Sequence, residues 1–141
     1  MVSGLEQAVK FTPPKREWKL KEVIIIGMLR GKWARGENNF GVEIRDAKLN
    51  LLYQYKGAAS SYFVSNEPKE VFLEIPDIVM NGSFFICFDS EAVVSIFTET
   101  NYATGNSYYY DKQSGKLLQG EIPLKNNSTL PVNWVIRARG V

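Results

Sequence analysis

The sequence predicts an all-β fold, an antiparallel two-sheet β-sandwich with jelly-roll-like topology and about ten short strands. Three observations lead there. Apolar and polar residues alternate in Asn133-Trp134-Val135-Ile136-Arg137-Ala138-Arg139, in Asn39-Phe40-Gly41-Val42-Glu43-Ile44-Arg45-Asp46 and in Ser83-Phe84-Phe85-Ile86-Cys87-Phe88-Asp89, the period of a strand with one face buried. Gly, Pro, Asn and Asp punctuate such segments along the whole chain, close to the roughly 8 to 12 residue spacing of sandwich strands. No stretch of helical length carries apolar residues at i, i+3, i+4 and i+7, although Lys56 to Ser60 has room for a short turn.

Taken in order, Glu6 to Phe11 reads as the first strand, ended by Thr12-Pro13-Pro14 because consecutive prolines remove backbone donors. Trp18 to Gly27 follows, and its β-branched Val23-Ile24-Ile25-Ile26 suits a strand covered on both faces. The alternating group Lys15 to Lys21 reads as the solvated face of an edge strand, and Leu29 to Asn39 as a loop. Phe40, Val42 and Ile44 point inward and Gly41, Glu43 and Arg45 outward; Asp46-Ala47-Lys48 turns the chain into a hairpin partner, Leu49 to Tyr55. Ser60 to Val64 is expected as a short strand, and Val71 to Ile75 as another that Pro76-Asp77 closes. Asn81-Gly82 reads as a tight turn, because both positions tolerate positive φ, feeding Phe84 to Phe88, to which Val93 to Thr98 pairs back through Asp89-Ser90-Glu91. Thr100 to Asn106 lacks periodicity. Ser107 to Tyr110 and Lys116 to Leu118 flank a hairpin turn whose Gly115 takes the left-handed position. The polar Lys125 to Thr129 precedes Pro131 and the last strand.

With 141 residues the chain reads as one domain, 1–141, and such a chain buries roughly 68% of its unfolded surface, enough for a self-sufficient core. Seventeen basic against fifteen acidic residues give a net charge of +2, too small and too dispersed for a nucleic-acid partner. The longest apolar run, Val23 to Ile26, is too short to insert across a membrane. The first residues, Met1 to Glu6, have neither a basic nor a long apolar region of a signal peptide. The single cysteine, Cys87, excludes an internal disulfide and reads as a small buried hydrophobe.

Histidine is absent, which removes the commonest general base and zinc ligand together. The glycines are scattered rather than clustered into a phosphate loop. No catalytic residue and no resident cofactor is expected. Glu43, Asp46, Asp89, Glu91, Glu99 and Asp111 form the pool for a carboxylate-based glycoside hydrolase, and are read instead as solvated strand-face and turn residues. Asp89, Glu91 and Asp111 are the candidates for a structural calcium ion, which takes oxygen ligands, although the spaced acidic loop of an EF-hand is missing. Trp33, Tyr102, Asn106, Tyr108 and Tyr110 are the candidate ligand-binding residues, because amphipathic rings in polar loops offer flat stacking surfaces to a sugar or peptide. In Tyr108-Tyr109-Tyr110, alternation sends two rings to one face and one to the other. Asn81-Gly82-Ser83, Asn126-Asn127-Ser128 and Asn127-Ser128-Thr129 match the N-glycosylation pattern.

Ala8 to Pro14, Trp18 to Val23, Phe40 to Asp46, Leu51 to Tyr53, Val71 to Pro76, Gly82 to Phe88, Ser107 to Tyr110 and Asn133 to Ala138 together resemble the strand elements of β-sandwich accessory domains in secreted or surface archaeal and bacterial proteins. These are jelly-roll, galactose-binding-like modules, often C-terminal to peptidases. The resemblance implies an extracellular or cell-surface, non-catalytic module that binds a glycan or protein through loops at one end, with a host peptidase domain as a candidate partner. The rival expectation is a structural, self-associating sandwich without a small ligand.

Overall fold

The computed structural model describes residues 5–30, 39–89, 94–100 and 103–141. These residues form an antiparallel β-sandwich. The larger sheet has six strands, ordered β10 (Lys116–Gln119), β9 (Ser107–Asp111), β1 (Leu5–Phe11), β6 (Phe84–Asp89), β3 (Asn39–Asp46) and β4 (Leu51–Ala58). The smaller sheet of four strands has β2 (Trp18–Leu29) at its centre, β5 (Lys69–Met80) on one side, and β14 (Ile136–Gly140) and then β7 (Val94–Ile96) along the other. Two short ribbons complete the fold: β8 (Thr98–Glu99) with β13 (Asn133–Trp134), and β11 (Glu121–Pro123) with β12 (Thr129–Pro131). Backbone bonds from Phe97 N to Ile26 O (2.8 Å), Val135 N to Phe97 O (2.9 Å) and Ile26 N to Val135 O (3.2 Å) stitch the first ribbon to β2.

The core lies between the sheets because period-two alternation gives each strand an apolar face. Val9, Phe40, Val42, Ile44, Phe84, Ile86 and Phe88 of the larger sheet meet Trp18, Leu20, Val23, Ile25, Val71, Leu73 and Ile136 of the smaller. Each such side chain is worth about 1.5 to 3 kcal/mol of burial. Phe40 is its aromatic hub, stacked on Phe88 at 5.7 Å and edge-on to Phe63 at 5.4 Å. Gly140 lets β14 dock against β2: a Cβ there would collide with the Lys19 carbonyl oxygen and the Trp18 ring.

Several expectations hold. The first strand, the inward Phe40, Val42 and Ile44, and the buried Trp18, Trp134 and Cys87 are as read. Gly115 has φ +71°, and its N–H donates to the Asp111 carbonyl at 2.7 Å, closing the β9–β10 turn.

Others are corrected. Ser60 to Val64 is not a strand; Ala59–Tyr62 makes one helical turn, α1, closed by Phe63 N–H donating to the Ala59 carbonyl at 2.9 Å. Pro76 does not end its strand. β5 runs on to Met80 because it is a sheet edge, where a missing donor costs no ladder bond, and a register shift opposite Leu20/Glu22 absorbs the irregularity. β2 is central rather than an edge, and Ile24 and Ile26 on its outer side are only half-buried. Asn81 and Gly82 lack positive φ. They carry the chain from one sheet to the other, so β5 and β6 are not hairpin partners. Val94–Ile96 pairs with β2 and not with β6. The strand count is correspondingly larger than ten, fourteen among the described residues, because the ends of the 94–99 and 121–140 regions divide into short pieces.

Candidate functional site

Two features stand apart from ordinary packing. The first lies on the outer face of the larger sheet, at the end where β1 begins and β3 begins. Strand pairing sets Ala8 beside Tyr108 and Cys87, Cys87 beside Glu43, and Asp89 beside Gly41. Small residues in the middle of this face make room for long ones to fold over them, and Glu6 and Glu43 fill it, 1% and 2% exposed. Glu43 was read as a solvated strand-face carboxylate, and the structure corrects this. Arg45, two residues along β3, donates to Glu43 Oε1 from Nε at 3.2 Å and from Nη2 at 3.0 Å. Gln54 on β4 donates to Oε2 at 3.4 Å. Lys112, from the β9–β10 turn, brings Nζ to 3.3 Å from Glu43 Oε2 and 3.9 Å from Glu6 Oε2.

Neither Glu6 oxygen accepts a hydrogen bond from an N–H or O–H group. A protonated carboxyl resolves this, since its O–H can donate to the neighbouring Glu43 carboxylate. Burial, and then that shared proton and the Glu43 charge, push Glu6 up to about 8. Burial acts the same way on Glu43, but the bond from Glu6, the Arg45 guanidinium and the Lys112 ammonium outweigh it and hold Glu43 below the usual carboxylate value. Burial first, and the Glu6 carboxylate second, raise the Cys87 thiol, so it is inert as a nucleophile at neutral pH.

The second feature is a cleft of about 480 Å³ at the opposite end, between the β3–β4 turn and the β5–β6 connection. Leu52 and Val79, 44% and 49% exposed, form part of its wall with Met80 and Phe84. Lys48, Asn50, Asn81 and Ser83 supply polar groups. Its rims are braced: Asp46 Oδ1 accepts from Lys48 N and Asn50 N, both at 2.9 Å, and Asn81 Oδ1 accepts from Glu17 N at 3.1 Å.

Of the residues singled out from sequence, Trp33, Tyr102 and Glu91 lie outside the described residues. The others are not brought together as a stacking platform. Asn106 sits at the cleft end of β9, its carbonyl accepting from Lys10 N at 2.8 Å and its N–H donating to Thr104 Oγ1 at 3.2 Å. With Thr104, Ser107 and Asn133 nearby, that loop borders a smaller pocket of about 170 Å³. Tyr108 and Tyr110 point to the outer face, as alternation requires, while Tyr109 enters the core against Trp134 at 5.1 Å. Tyr108 is half-buried against the Phe85 edge, and Tyr110 is buried beneath Arg45, whose guanidinium carbon lies 5.0 Å from the ring centre. Asp89 shares the Glu6 neighbourhood. Asp111 caps its own turn, accepting from Gln113 N at 3.0 Å and Ser114 Oγ at 2.9 Å, which lowers its carboxyl. Among the described residues, no group of three His, Cys, Asp or Glu is placed to hold a metal ion. The residues missed from sequence are Glu6, Arg45 and Lys112 on the sheet face and Leu52 and Val79 in the cleft. Only Glu6 and Arg45 left a local signal, a charge on the face opposite the apolar one of an alternating strand.

Comparison with models of known protein families, with curated proteins and with solved structures finds no match.

Proposed function

We propose that this chain is a non-catalytic, jelly-roll-like accessory module of an exported or cell-surface protein, one that holds a glycan or an extended protein segment in the cleft between residues 46–50 and 79–84. The observation that carries the reading is the cleft itself. Its volume of about 480 Å³ falls within the roughly 300 to 1,000 Å³ of ligand sites. Its wall mixes exposed Leu52 and Val79 with amide, hydroxyl and ammonium groups, the combination that meets the apolar face and hydroxyl rim of a sugar or the side chains and backbone of a peptide. The turns that frame it are held by their own side-chain bonds, so little ordering entropy opposes binding. The resemblance to secreted accessory domains supports an extracellular setting and a host peptidase as neighbour. A hydrolase built on Glu6 and Glu43 is disfavoured, since both Glu6 oxygens are closed to solvent and a general acid must touch the oxygen it protonates.

The test is a glycan array together with a pull-down from surface extracts, followed by titration of the hits into the folded domain. Val79→Asp and Lys48→Glu alter the cleft without touching its bracing bonds and are expected to weaken any hit at least tenfold. Blank screens, or hits indifferent to both substitutions, would overturn the proposal.

A further inference from the structure

The sheet edges differ in how well they are protected. β5 carries Pro76 and the charges Lys69, Glu70, Glu74 and Asp77; β14 carries Arg137 and Arg139; β10 has only four residues. Proline, charge and shortness each discourage a second chain from adding to an edge. β4 is the least protected: it runs eight residues, Leu51–Ala58, with no proline, Lys56 as its one charge, and a register shift confined to its first residues, opposite Ile44/Arg45. Among the described strands it pairs only with β3.

We propose that the free edge of β4 pairs antiparallel with β4 of a second copy, about a two-fold axis at Gln54, joining two larger sheets into one. Opposed residues in an antiparallel pair share a face of the sheet, so continuity of the two cores admits only registers that match core-side residues with core-side residues. Tyr53 and Tyr55 are the core-side residues of β4, both packed against the apolar cluster. Centring on Gln54 sets Tyr53 against the partner's Tyr55 and repeats that aromatic pair on the other side of the axis, as an isologous contact must. Lys56 then lies opposite the partner's Leu52, so no like charges meet. Tyr55 is already held in place, because its hydroxyl is hydrogen-bonded to that of Tyr62 and its ring leans on Phe40 at 6.2 Å. A second copy fits better than a charged peptide, since the edge offers a single ammonium and matches itself in charge and side-chain size.

Light scattering after gel filtration, on the whole chain from micromolar to near-millimolar concentration, reads the outcome. The expected result is a mass that rises to two chains. Gln54→Lys puts two ammonium groups on the axis and is expected to weaken association at least tenfold with an unchanged circular dichroism spectrum. Gln54→Cys, with Cys87 buried, is expected to give a disulfide-linked dimer under mild oxidation. A one-chain mass at every concentration, a dimer indifferent to Gln54→Lys, or a monomer whose β4 takes up an unrelated extended peptide would each overturn the proposal.

Discussion

On the inner face of the six-stranded sheet, Phe40, Phe84 and Phe88 are buried in an apolar core, whereas on its outer face the same layer buries Glu6 and Glu43 beside the half-buried Arg45. The first arrangement is held by area removed from water, which no titration alters. The second is held by a shared proton and two cations, so its strength depends on pH. One sheet thus has a face that responds to acidity and a face that does not.

The largest effect expected is on the inner face. Phe88→Ala removes a ring stacked on Phe40 and leaves a cavity, costing about 3 to 5 kcal/mol. Denaturant unfolding at pH 5 and pH 9 is expected to give the same loss; a loss that changed between them would break the contrast between faces. Glu6→Gln comes next. Folded Glu6 keeps its proton up to about 8, while an unfolded chain releases it near the ordinary 4.5. Across that window folding takes up a proton, so Glu6 makes stability fall as pH rises, by at most about 1.4 kcal/mol per pH unit. Glu43, lowered instead, contributes on the other side, its stabilisation being lost as pH falls below the usual carboxylate range. A glutamine donates to Glu43 without titrating, so the variant matches the natural protein near pH 5 and exceeds it above pH 8. Parallel stability profiles would contradict the shared proton. The smallest effect belongs to Lys112→Met. This ammonium is 39% exposed, and an ion pair so open to water is worth less than about 1 kcal/mol. Its loss is expected to extend the falling limb above pH 8, since the Lys112 charge lowers Glu6; an unmoved limb would mean that Lys112 does not reach the pair.

Part of what is local was legible, although Ala59–Tyr62 turns as a helix where a strand was expected. Phe40, Val42 and Ile44 reach the core because alternation is a property of neighbouring residues, and Gly115 closes its turn because the demand for positive φ belongs to one residue. What depends on partners from elsewhere was not legible. Glu43 is buried only because Glu6 on β1 and Lys112 in a later turn converge on it. Pro76 is tolerated because of where β5 lies in its sheet, and Asn81-Gly82 bridges two layers although its composition suits a hairpin. The same gap scattered the aromatic candidates, since Tyr108 and Tyr110 settle on a sheet face already occupied by Phe85 and Arg45.

β2 comes second in the chain, yet β14, one of the strands that flank it, comes last, and Lys19 exchanges both backbone bonds with Val141, at 2.9 and 3.0 Å. The smaller layer therefore stays open along one side of β2 until 136–140 pairs with it. Such late closure between distant segments makes assembly slow.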